Sequence, residues 1–346
     1  MQMQDERTTM MTSMSTGMVP VLLTLVLFLQ LPATCRAQVV IKLGTVAPEG
    51  SIWHDALLSI RQQWRDISHG EVELRIYAGG VLGGETEMVR KVQRHGLDAI
   101  AISGAGLPFI DSSVDCLNLP MLFESYEALD YVRNGIASDL EQRLVHKYFK
   151  VLSWAEGGWV YFFTKTPVRT PDDLRKLRLW TAAGHPESEP LSKALGFQVV
   201  PLPETDMLTG LQTGLIEAID IPPLLALLDR SYQLAKYMTN LQFAPLNAAT
   251  VISLPAWERI PASYRPRLLD AVRQAGQALR AAIRQAGDDA IQEMRKRGLQ
   301  IVDLDEAAIA QWRLEAQKAY PKFGCSVHHP DLFDKVLRLH EAFQRR

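Results

Sequence analysis

Residues 72–102 read VELRIYAGGVLGGETEMVRKVQRHGLDAIAI, and this stretch decides the fold. Residues 72–77 alternate apolar and polar side chains as a strand does, and the apolar run at 99–102 is typical of a buried strand. Between them, residues 85–95 have helical spacing and end at Gly96, a common residue just beyond a helix. A strand, a helix and a second strand in this order predict parallel strands connected by a crossover helix.

The same alternation continues on both sides of this unit. Residues 39–44 have a strand pattern and are followed by helical spacing at 53–67, while residues 151–154 and 161–164 are predicted to be two strands. Residues 261–297 form one long amphipathic pattern, which predicts a long helix. Repeated units of this kind predict an α/β fold with mixed, mainly parallel sheets covered by helices.

The composition indicates a globular protein. The chain has 346 residues, of which 47% are hydrophobic and 22% charged, so it is long enough for two domains with separate cores. Lysine and arginine total 37 against 39 acidic residues, which gives a net charge of −2. A nucleic-acid-binding protein usually has a basic excess, so we expect no nucleic-acid partner.

The N-terminus predicts an export signal and a periplasmic location. Residues 19–31 are an apolar run, shorter than the roughly 20 residues that a membrane-spanning helix needs. Cys35 and Ala37 then occupy the −3 and −1 positions of a cleavage site before Gln38. We therefore expect residues 1–37 to be a signal peptide that is removed from the mature chain.

Three alternatives remain open for this segment. Charges at Asp5, Glu6 and Arg7 nearly cancel where a signal peptide usually has a positive charge, so translation could start at a later methionine such as Met10. A buried N-terminal helix is the second alternative. A lipid anchor at Cys35 is the third, although lipoproteins usually have leucine three positions before the cysteine.

The mature chain keeps two cysteines, Cys116 and Cys325. Two cysteines in an oxidising compartment can form a disulfide. Cys116, however, lies in an apolar run, where a single buried cysteine behaves as a small hydrophobic residue. We therefore favour two unpaired cysteines and keep a disulfide as the alternative.

Catalytic and cofactor motifs are absent or incomplete. Residues 79–86 have the spacing of a phosphate-binding loop, but Glu85 stands where a lysine would contact phosphate and would repel it. The chain contains neither a GxSxG nucleophile motif nor an HExxH metal-binding motif. Cys325, His328 and His329 are too few and too isolated to predict a metal site. We expect no catalytic residues, no cofactor and no bound metal.

Six segments carry a resemblance to a known family. They are KLGTVAPEGSIWH (42–54), YAGGVLGGETEM (77–88), NLPMLF (118–123), LRKLRL (174–179), LQTGLIEA (211–218) and KYMT (236–239). In this order and spacing, the chain resembles the solute receptors of TRAP transporters, the DctP family, over roughly residues 39–325. The resemblance implies a secreted periplasmic receptor that is not an enzyme. Such a receptor delivers its ligand to a small and a large membrane subunit.

The resemblance also implies a two-domain, Venus-flytrap architecture with the ligand cleft between the domains. Carried onto this sequence, domain I comprises residues 38–157 and 247–286. Domain II comprises residues 158–246 and 287–346, and the long helix spans both domains.

Three positions depart from the family pattern at the places where its members usually hold an organic acid. Trp180 replaces an arginine that binds the carboxylate, Val160 replaces a second arginine, and Ile221 replaces an asparagine. An arginine–carboxylate hydrogen bond contributes about 1.5–3 kcal/mol, whereas burying about 300 Å² of apolar ligand surface gains about 7 kcal/mol before entropic costs. We therefore expect an apolar or weakly polar ligand.

Position along the fold predicts further ligand contacts. Ser103 follows a buried strand, and ligands of parallel sheets bind beyond the carboxyl ends of the strands. Trp53 begins the first predicted helix, and Trp159 neighbours Val160. The alternative is that these side chains belong to the core and that another cation, such as Lys165, binds an acidic ligand.

Two other partners or functions stay open at this point. Receptors with this tryptophan pattern resemble ones that work with a helical-repeat (TPR) periplasmic protein, which is therefore a further predicted partner. A periplasmic carrier of lipids or other hydrophobic ligands, independent of a TRAP permease, is the alternative function. An enzyme would need several titratable groups converging in the cleft, and the three departing positions offer none.

Overall fold

The computed structural model describes residues 38–183 and 188–346. The strands are β1 Val39–Thr45, β2 Val72–Tyr77, β3 Ala99–Ser103, β4 Phe149–Thr164, β5 Arg178–Ala182, β6 Gln198–Leu202, β7 Ala218–Ile221, β8 Tyr237–Thr239, β9 Ala244–Ser253 and β10 Gln300–Val302. The helices are α1 Ile52–Ile67, α2 Glu85–Gln93, α3 Tyr126–His146, α4 Pro171–Leu174, α5 Ser188–Ala194, α6 Met207–Thr213, α7 Pro223–Leu228, α8 Leu254–Arg259, α9 Arg265–Lys296, α10 Glu306–Ala319, α11 Gly324–His328 and α12 Pro330–Gln344.

These strands form one mixed sheet, which confirms the predicted α/β class. The order is β2-β1-β3-β9-β4-β7-β5-β6, with β8 paired to β4 and β10 paired to β8. Strand β1 is parallel to both β2 and β3, so the unit that the sequence predicts at 72–102 has β1 inserted between its strands. Strands β5, β6 and β7 form a second parallel group, and β4 and β9 connect the two groups through antiparallel pairs.

Strand β4 differs from its prediction. Residues 151–154 and 161–164 belong to one strand, and the Glu-Gly-Gly segment between them continues it. The register against β9 shifts between Glu156 and Gly158, and Gly158 has a φ of +99°, which glycine adopts without strain. The sequence predicts two separate strands here because glycine weakens a strand interior, but in this fold the glycine pair forms a β-bulge within one strand.

Helix α9 crosses this region and matches the long helix that the sequence predicts. One apolar face, including Leu268, Val272 and Ile283, is fully buried. At its N-terminal end, the Trp64 indole of α1 donates a hydrogen bond of 3.1 Å to the carbonyl of Leu268. Further along, Gly276 lies so close to β4 that a Cβ there would be 2.6 Å from the hydroxyl of Ser153. Helix α9 therefore packs directly against the long strand and positions its bulge.

The expectation of unpaired cysteines is wrong. Cys116, in the 3₁₀ helix Ser112–Leu117, forms a disulfide with Cys325 of α11, and both residues are fully buried. Their Cα atoms are 5.3 Å apart, within the range that a disulfide requires. The apolar run around Cys116 is real, but 209 residues later the chain returns and places a second cysteine against it. Across the two described ranges, no helix is long and apolar enough to cross a membrane.

Candidate functional site

A cleft with a volume of about 390 Å³ opens beside the β4 bulge, and we call it the main cleft. The loops after β1 and β3 contribute one side of it, and the segments after β6 and β7 contribute the opposite side. Most of its lining is apolar, including Trp53, Leu57, Ile60, Ile102, Trp180, Met207, Leu208, Ile221, Leu225, Leu246 and Leu279. This lining makes the cleft suited to an apolar molecule.

The charged groups that line the main cleft are all acidic. Five carboxylates reach it, from Glu85, Glu156, Glu204, Asp220 and Asp229. Within residues 38–183 and 188–346, no lysine, arginine or histidine lines it. An organic acid bound there would meet negative groups and no positive partner, which is unfavourable in a low-polarity site.

Four predicted site residues line the main cleft, namely Trp53, Ser103, Trp180 and Ile221. The Trp53 indole donates a 3.3 Å hydrogen bond to the carbonyl of Glu156, so the start of α1 is fixed to the β4 bulge. Ser103 lines the cleft at the end of β3, and Ile221 lines it from the end of β7. Their shared location agrees with the rule that ligand sites form beyond the ends of strands.

A second cavity of about 270 Å³ adjoins the main cleft, and we call it the side cavity. Trp180 lines both cavities, and its indole is fixed by a 3.0 Å hydrogen bond to the carbonyl of Leu202. Val160 lines the side cavity. The wall there is aromatic, with Phe162 stacked on Trp312 at 5.2 Å between ring centroids. Among the described residues, this cavity also lacks a basic side chain in its lining.

Trp159 is the one predicted site residue outside both linings. Its side chain is buried and packs against Tyr126, with the ring centroids 5.3 Å apart. It points away from the cleft because successive residues of β4 face opposite sides of the sheet. Lys165, the alternative cation, lies outside both linings and donates a 2.8 Å hydrogen bond to the carbonyl of Leu211.

The glycine-rich loop that resembles a phosphate site has a different role. Gly80 has a φ of +70°, and a Cβ there would lie 2.9 Å from the Thr205 side chain on the opposite wall of the main cleft. The next helix begins with Glu85, whose carboxylate is buried and accepts hydrogen bonds of 2.9–3.0 Å from the backbone amide and hydroxyl of Ser103. The loop therefore brings two walls of the cleft into contact.

Glu85 also faces a second carboxyl group across the cleft. Its backbone amide donates a 3.4 Å hydrogen bond to Glu204. Burial and, after it, the charge of Glu204 raise the pKa of Glu85 to about 8. Burial also raises the pKa of Glu204. At neutral pH, a proton therefore resides on this pair in the folded protein.

We expect the Glu85→Gln variant to lose part of the pH dependence of stability. Because the folded-state pKa is raised, the folded protein holds a proton that the unfolded chain releases above about pH 4.5. The wild-type free energy of unfolding should therefore fall as pH rises from 5 to 8, by at most about 1.4 kcal/mol per pH unit for one proton. Glu85→Gln should be more stable than wild type at pH 8 and similar at pH 5.

Urea unfolding at pH 5, 6.5 and 8 measures this difference. The control is Glu87→Gln, the same substitution two residues later, at a half-exposed glutamate in the same helix. Glu87→Gln should not change the slope of the free energy of unfolding against pH. If the difference in stability between Glu85→Gln and wild type were the same at all three pH values, the raised pKa of Glu85 would be contradicted.

Glu156, at the β4 bulge, belongs to a buried ion cluster behind the main cleft. The Arg284 guanidinium of α9 contacts Glu156 at 2.6 and 3.1 Å and Asp130 at 2.7 and 2.8 Å. Arg133 contacts both carboxylates as well, at 3.3 Å from Glu156. The side chain of Glu156 is only 1% exposed, so these partners compensate its charge. The cluster fixes the bulge that carries one wall of the cleft.

Sequence reasoning missed Asp220, which lines both cavities next to Trp180. Burial raises its pKa to about 7. A signal was available, because Asp220 lies near the carboxyl end of β7, and Ser103 was selected because it lies at the carboxyl end of β3. The resemblance directed attention to Ile221 instead.

Comparison with known proteins places the chain among bacterial solute receptors. The family described as bacterial extracellular solute-binding protein, family 7 (DctP), matches residues 43–325. A solute-binding protein of Verminephrobacter eiseniae is 25% identical over 298 residues, 84% of this chain and 88% of the relative. The 2,3-diketo-L-gulonate-binding periplasmic protein YiaO of Escherichia coli is 23% identical over 260 residues, 74% of this chain and 79% of YiaO.

Solved structures show the same fold. A TRAP periplasmic solute-binding protein of Xanthobacter autotrophicus, crystallised with β-D-galacturonate, superposes with a TM-score of 0.80 at 20% identity. The match covers 87% of this chain and 99% of the solved one. At this identity the likeness establishes the fold, whereas the lining of the cleft has to be judged from its own residues.

Proposed function

This chain belongs to the DctP family of bacterial extracellular solute-binding proteins, and from that premise we propose that it is a receptor for an apolar or weakly polar ligand bound in the main cleft. Proteins of this family are periplasmic solute-binding proteins, not enzymes, and serve TRAP transporters together with membrane subunits. The chain is therefore a TRAP-type solute-binding receptor. What is proposed is the chemistry of its ligand.

The observation that carries this proposal is the lining of the main cleft. It combines apolar side chains with carboxylates and, within the described residues, contains no cation that could hold an acid. The positions where the family usually has polar contacts have Trp180, Val160 and Ile221, each less than a tenth exposed. Solved relatives include one with bound galacturonate, but an acid of that kind needs a positive partner that this lining does not supply.

Export and domain organisation are part of the same proposal. We propose cleavage after Ala37, and the first strand begins two residues later at Val39. The Cys116–Cys325 disulfide supports an oxidising compartment such as the periplasm. The proposed boundary at residues 157 and 247 coincides with the register shift between β4 and β9, where two domains could hinge. A helical-repeat partner stays a prediction.

Mass spectrometry of an organic extract tests the ligand class. We expect protein purified without denaturation from its own host to release one apolar or weakly polar molecule in stoichiometric amount. Calorimetry with D-galacturonate, 2,3-diketo-L-gulonate and succinate should give no binding below 1 mM. Tight binding of any of these acids would overturn the proposal.

A matched pair of variants on α7 locates the binding site. Leu225 lines the main cleft, and Leu228, one turn later, is 43% exposed and outside the lining. Leu225→Asn should lower the amount of co-purified ligand about tenfold, since it places an amide against the ligand, whereas Leu228→Asn should stay within twofold of wild type. Equal ligand content in both variants, with wild-type circular dichroism, would exclude the main cleft as the site.

A further inference from the structure

Asp220 lies at the junction of the main cleft and the side cavity. It shares this junction with Ala105, Trp180 and Leu246, which line both cavities and are apolar apart from the indole nitrogen that Leu202 already engages. Asp220 is half-buried on β7, where its backbone pairs with Phe162. A ligand that fills either cavity therefore meets this carboxylate.

The other carboxylates of the main cleft are already engaged. Glu85 accepts three hydrogen bonds from Ser103, and Glu156 is held by two arginines. Glu204 accepts a 3.4 Å hydrogen bond from the backbone amide of Glu85, and Asp229 accepts a 2.8 Å hydrogen bond from the backbone amide of Ser231. Within residues 38–183 and 188–346, the Asp220 carboxylate accepts a hydrogen bond from its own backbone amide, and no basic side chain forms an ion pair with it. Its carboxylate therefore keeps the capacity to accept hydrogen bonds from a ligand.

Two of the three residues that follow Asp220 have no backbone donor for an anion. Ile221 is succeeded by Pro222 and Pro223, and proline has no backbone N–H group. Burial already disfavours the ionised form of Asp220, because its pKa is raised to about 7. An anionic ligand at this junction would add repulsion, whereas a donor group would compensate the buried carboxylate.

We propose that the polar end of the ligand is a hydrogen-bond donor, a hydroxyl or an ammonium group, which Asp220 binds at the junction of the two cavities. This inference rests on the proposed apolar-ligand function and adds the chemistry of the head group. The apolar body occupies the main cleft, and Asp220 selects against carboxylates.

A series of ligands with one apolar body and different head groups tests the inference. The probes are octylamine, 1-octanol, methyl octyl ether and octanoate, titrated by calorimetry at pH 7.5 into protein stripped of its resident ligand on a hydrophobic resin. Octylamine or 1-octanol, or both, should bind at least tenfold more tightly than octanoate and at least threefold more tightly than the ether. Which of the two binds more tightly identifies the head group as an amine or an alcohol.

Variants assign the effect to Asp220. Asp220→Asn should weaken octylamine binding at least tenfold and leave 1-octanol within threefold, since the amide oxygen still accepts a hydrogen bond. Asp172→Asn is the matched control, because Asp172 is 81% exposed and lies outside both linings. It should change neither affinity.

Each remaining outcome overturns a defined claim. Equal affinities for all four probes, or an Asp220→Asn variant with unchanged octylamine binding, would overturn the donor-head inference and leave the apolar cleft standing. No binding of any octyl probe below 1 mM would overturn both claims. In that case, binding of D-galacturonate would identify the protein as a receptor for acids.

Discussion

Replacing Cys116 and Cys325 together with alanine is expected to lower the free energy of unfolding by about 3–5 kcal/mol. The disulfide closes a loop of about 209 residues, and the chain-entropy cost of that closure is about 5 kcal/mol at 25 °C. Without the disulfide, the unfolded chain regains this freedom and folding becomes less favourable. Urea unfolding of wild type and the double variant under non-reducing conditions measures the loss.

The disulfide connects the 3₁₀ helix Ser112–Leu117 to α11, close to the C-terminal end of the chain. The 3₁₀ helix Ser112–Leu117 follows the β3 side of the main cleft, and α11 precedes the C-terminal helix α12. Around the disulfide, the His329 ring lies between Ser112, at 3.1 Å, and Arg143, at 2.9 Å. Burial lowers the pKa of His329, so a neutral ring can accept from Arg143 and donate to Ser112. The disulfide thus fixes the C-terminal segment to the body of the fold.

Reductant provides the control for this prediction. Unfolding wild type with a phosphine reductant should reproduce the stability of the double variant, whereas the double variant itself should not respond to the reductant. Replacing both cysteines avoids leaving a reactive thiol, which would complicate a single variant. A wild-type unfolding curve that does not shift after complete reduction would contradict the assigned contribution.

The elements with strong periodicity could be predicted from the sequence. Helix α9 was expected at 261–297 and spans Arg265–Lys296, because its apolar side chains repeat with a helical period from Leu268 to Met294. The strand–helix–strand unit at 72–102 could be predicted for the same reason. Patterns of this kind are local, because the spacing of apolar residues along one element shows which of its faces is buried.

Long-range features could not be predicted in this way. Strand β9, Ala244–Ser253, contains proline, asparagine and three alanines, so its residues do not have typical strand preferences. It is a strand because β3 and β4 pair with it on both sides, and that pairing depends on residues about 90 to 150 positions away. Contacts between residues far apart in the sequence also explain why β4 continues through two glycines and why Cys116 pairs with Cys325.

For similar reasons, only part of the candidate site could be predicted from the sequence. The rule that sites form beyond strand ends predicted Ser103, and the structure places it in the main cleft with Trp53 and Ile221. Trp159 was selected only as a neighbour of Val160, and strand alternation turns it toward Tyr126. Whether these residues contact a ligand stays a prediction. The carboxylates of the cleft come from separate elements, so only the three-dimensional structure shows that they lie close together.

Arg284→Met is the second substitution for which we expect a large loss, about 3–5 kcal/mol of unfolding free energy. Methionine fills similar volume but removes the guanidinium that contacts Glu156 and Asp130 through four hydrogen bonds. It also removes a cation that lies 4.3 Å from the ring of Tyr126. Glu156 would then keep a buried charge with Arg133 as its remaining ion-pair partner among the described residues, and breaking one side of such a cluster is strongly destabilising.

The same helix supplies a matched control for this loss. Arg273→Met makes the identical substitution three turns earlier on α9, at an exposed arginine, and should change stability by less than about 0.5 kcal/mol. Arg284→Met combined with Glu156→Gln should be less destabilised than the sum of the two single variants, because it removes the uncompensated charge along with its partner.

The loss should extend to ligand binding, since the cluster positions the β4 bulge and the Glu156 carbonyl anchors the Trp53 indole across the main cleft. We expect folded Arg284→Met protein, examined well below its unfolding midpoint, to retain at least threefold less co-purified ligand than Arg273→Met. Arg284→Lys should recover stability only in part, because an ammonium group cannot make the paired contacts of a guanidinium. Equal stability of the Arg284→Met and Arg273→Met variants would mean that the remaining arginines, Arg133 and Arg280, compensate both carboxylates and that Arg284 does not hold the bulge.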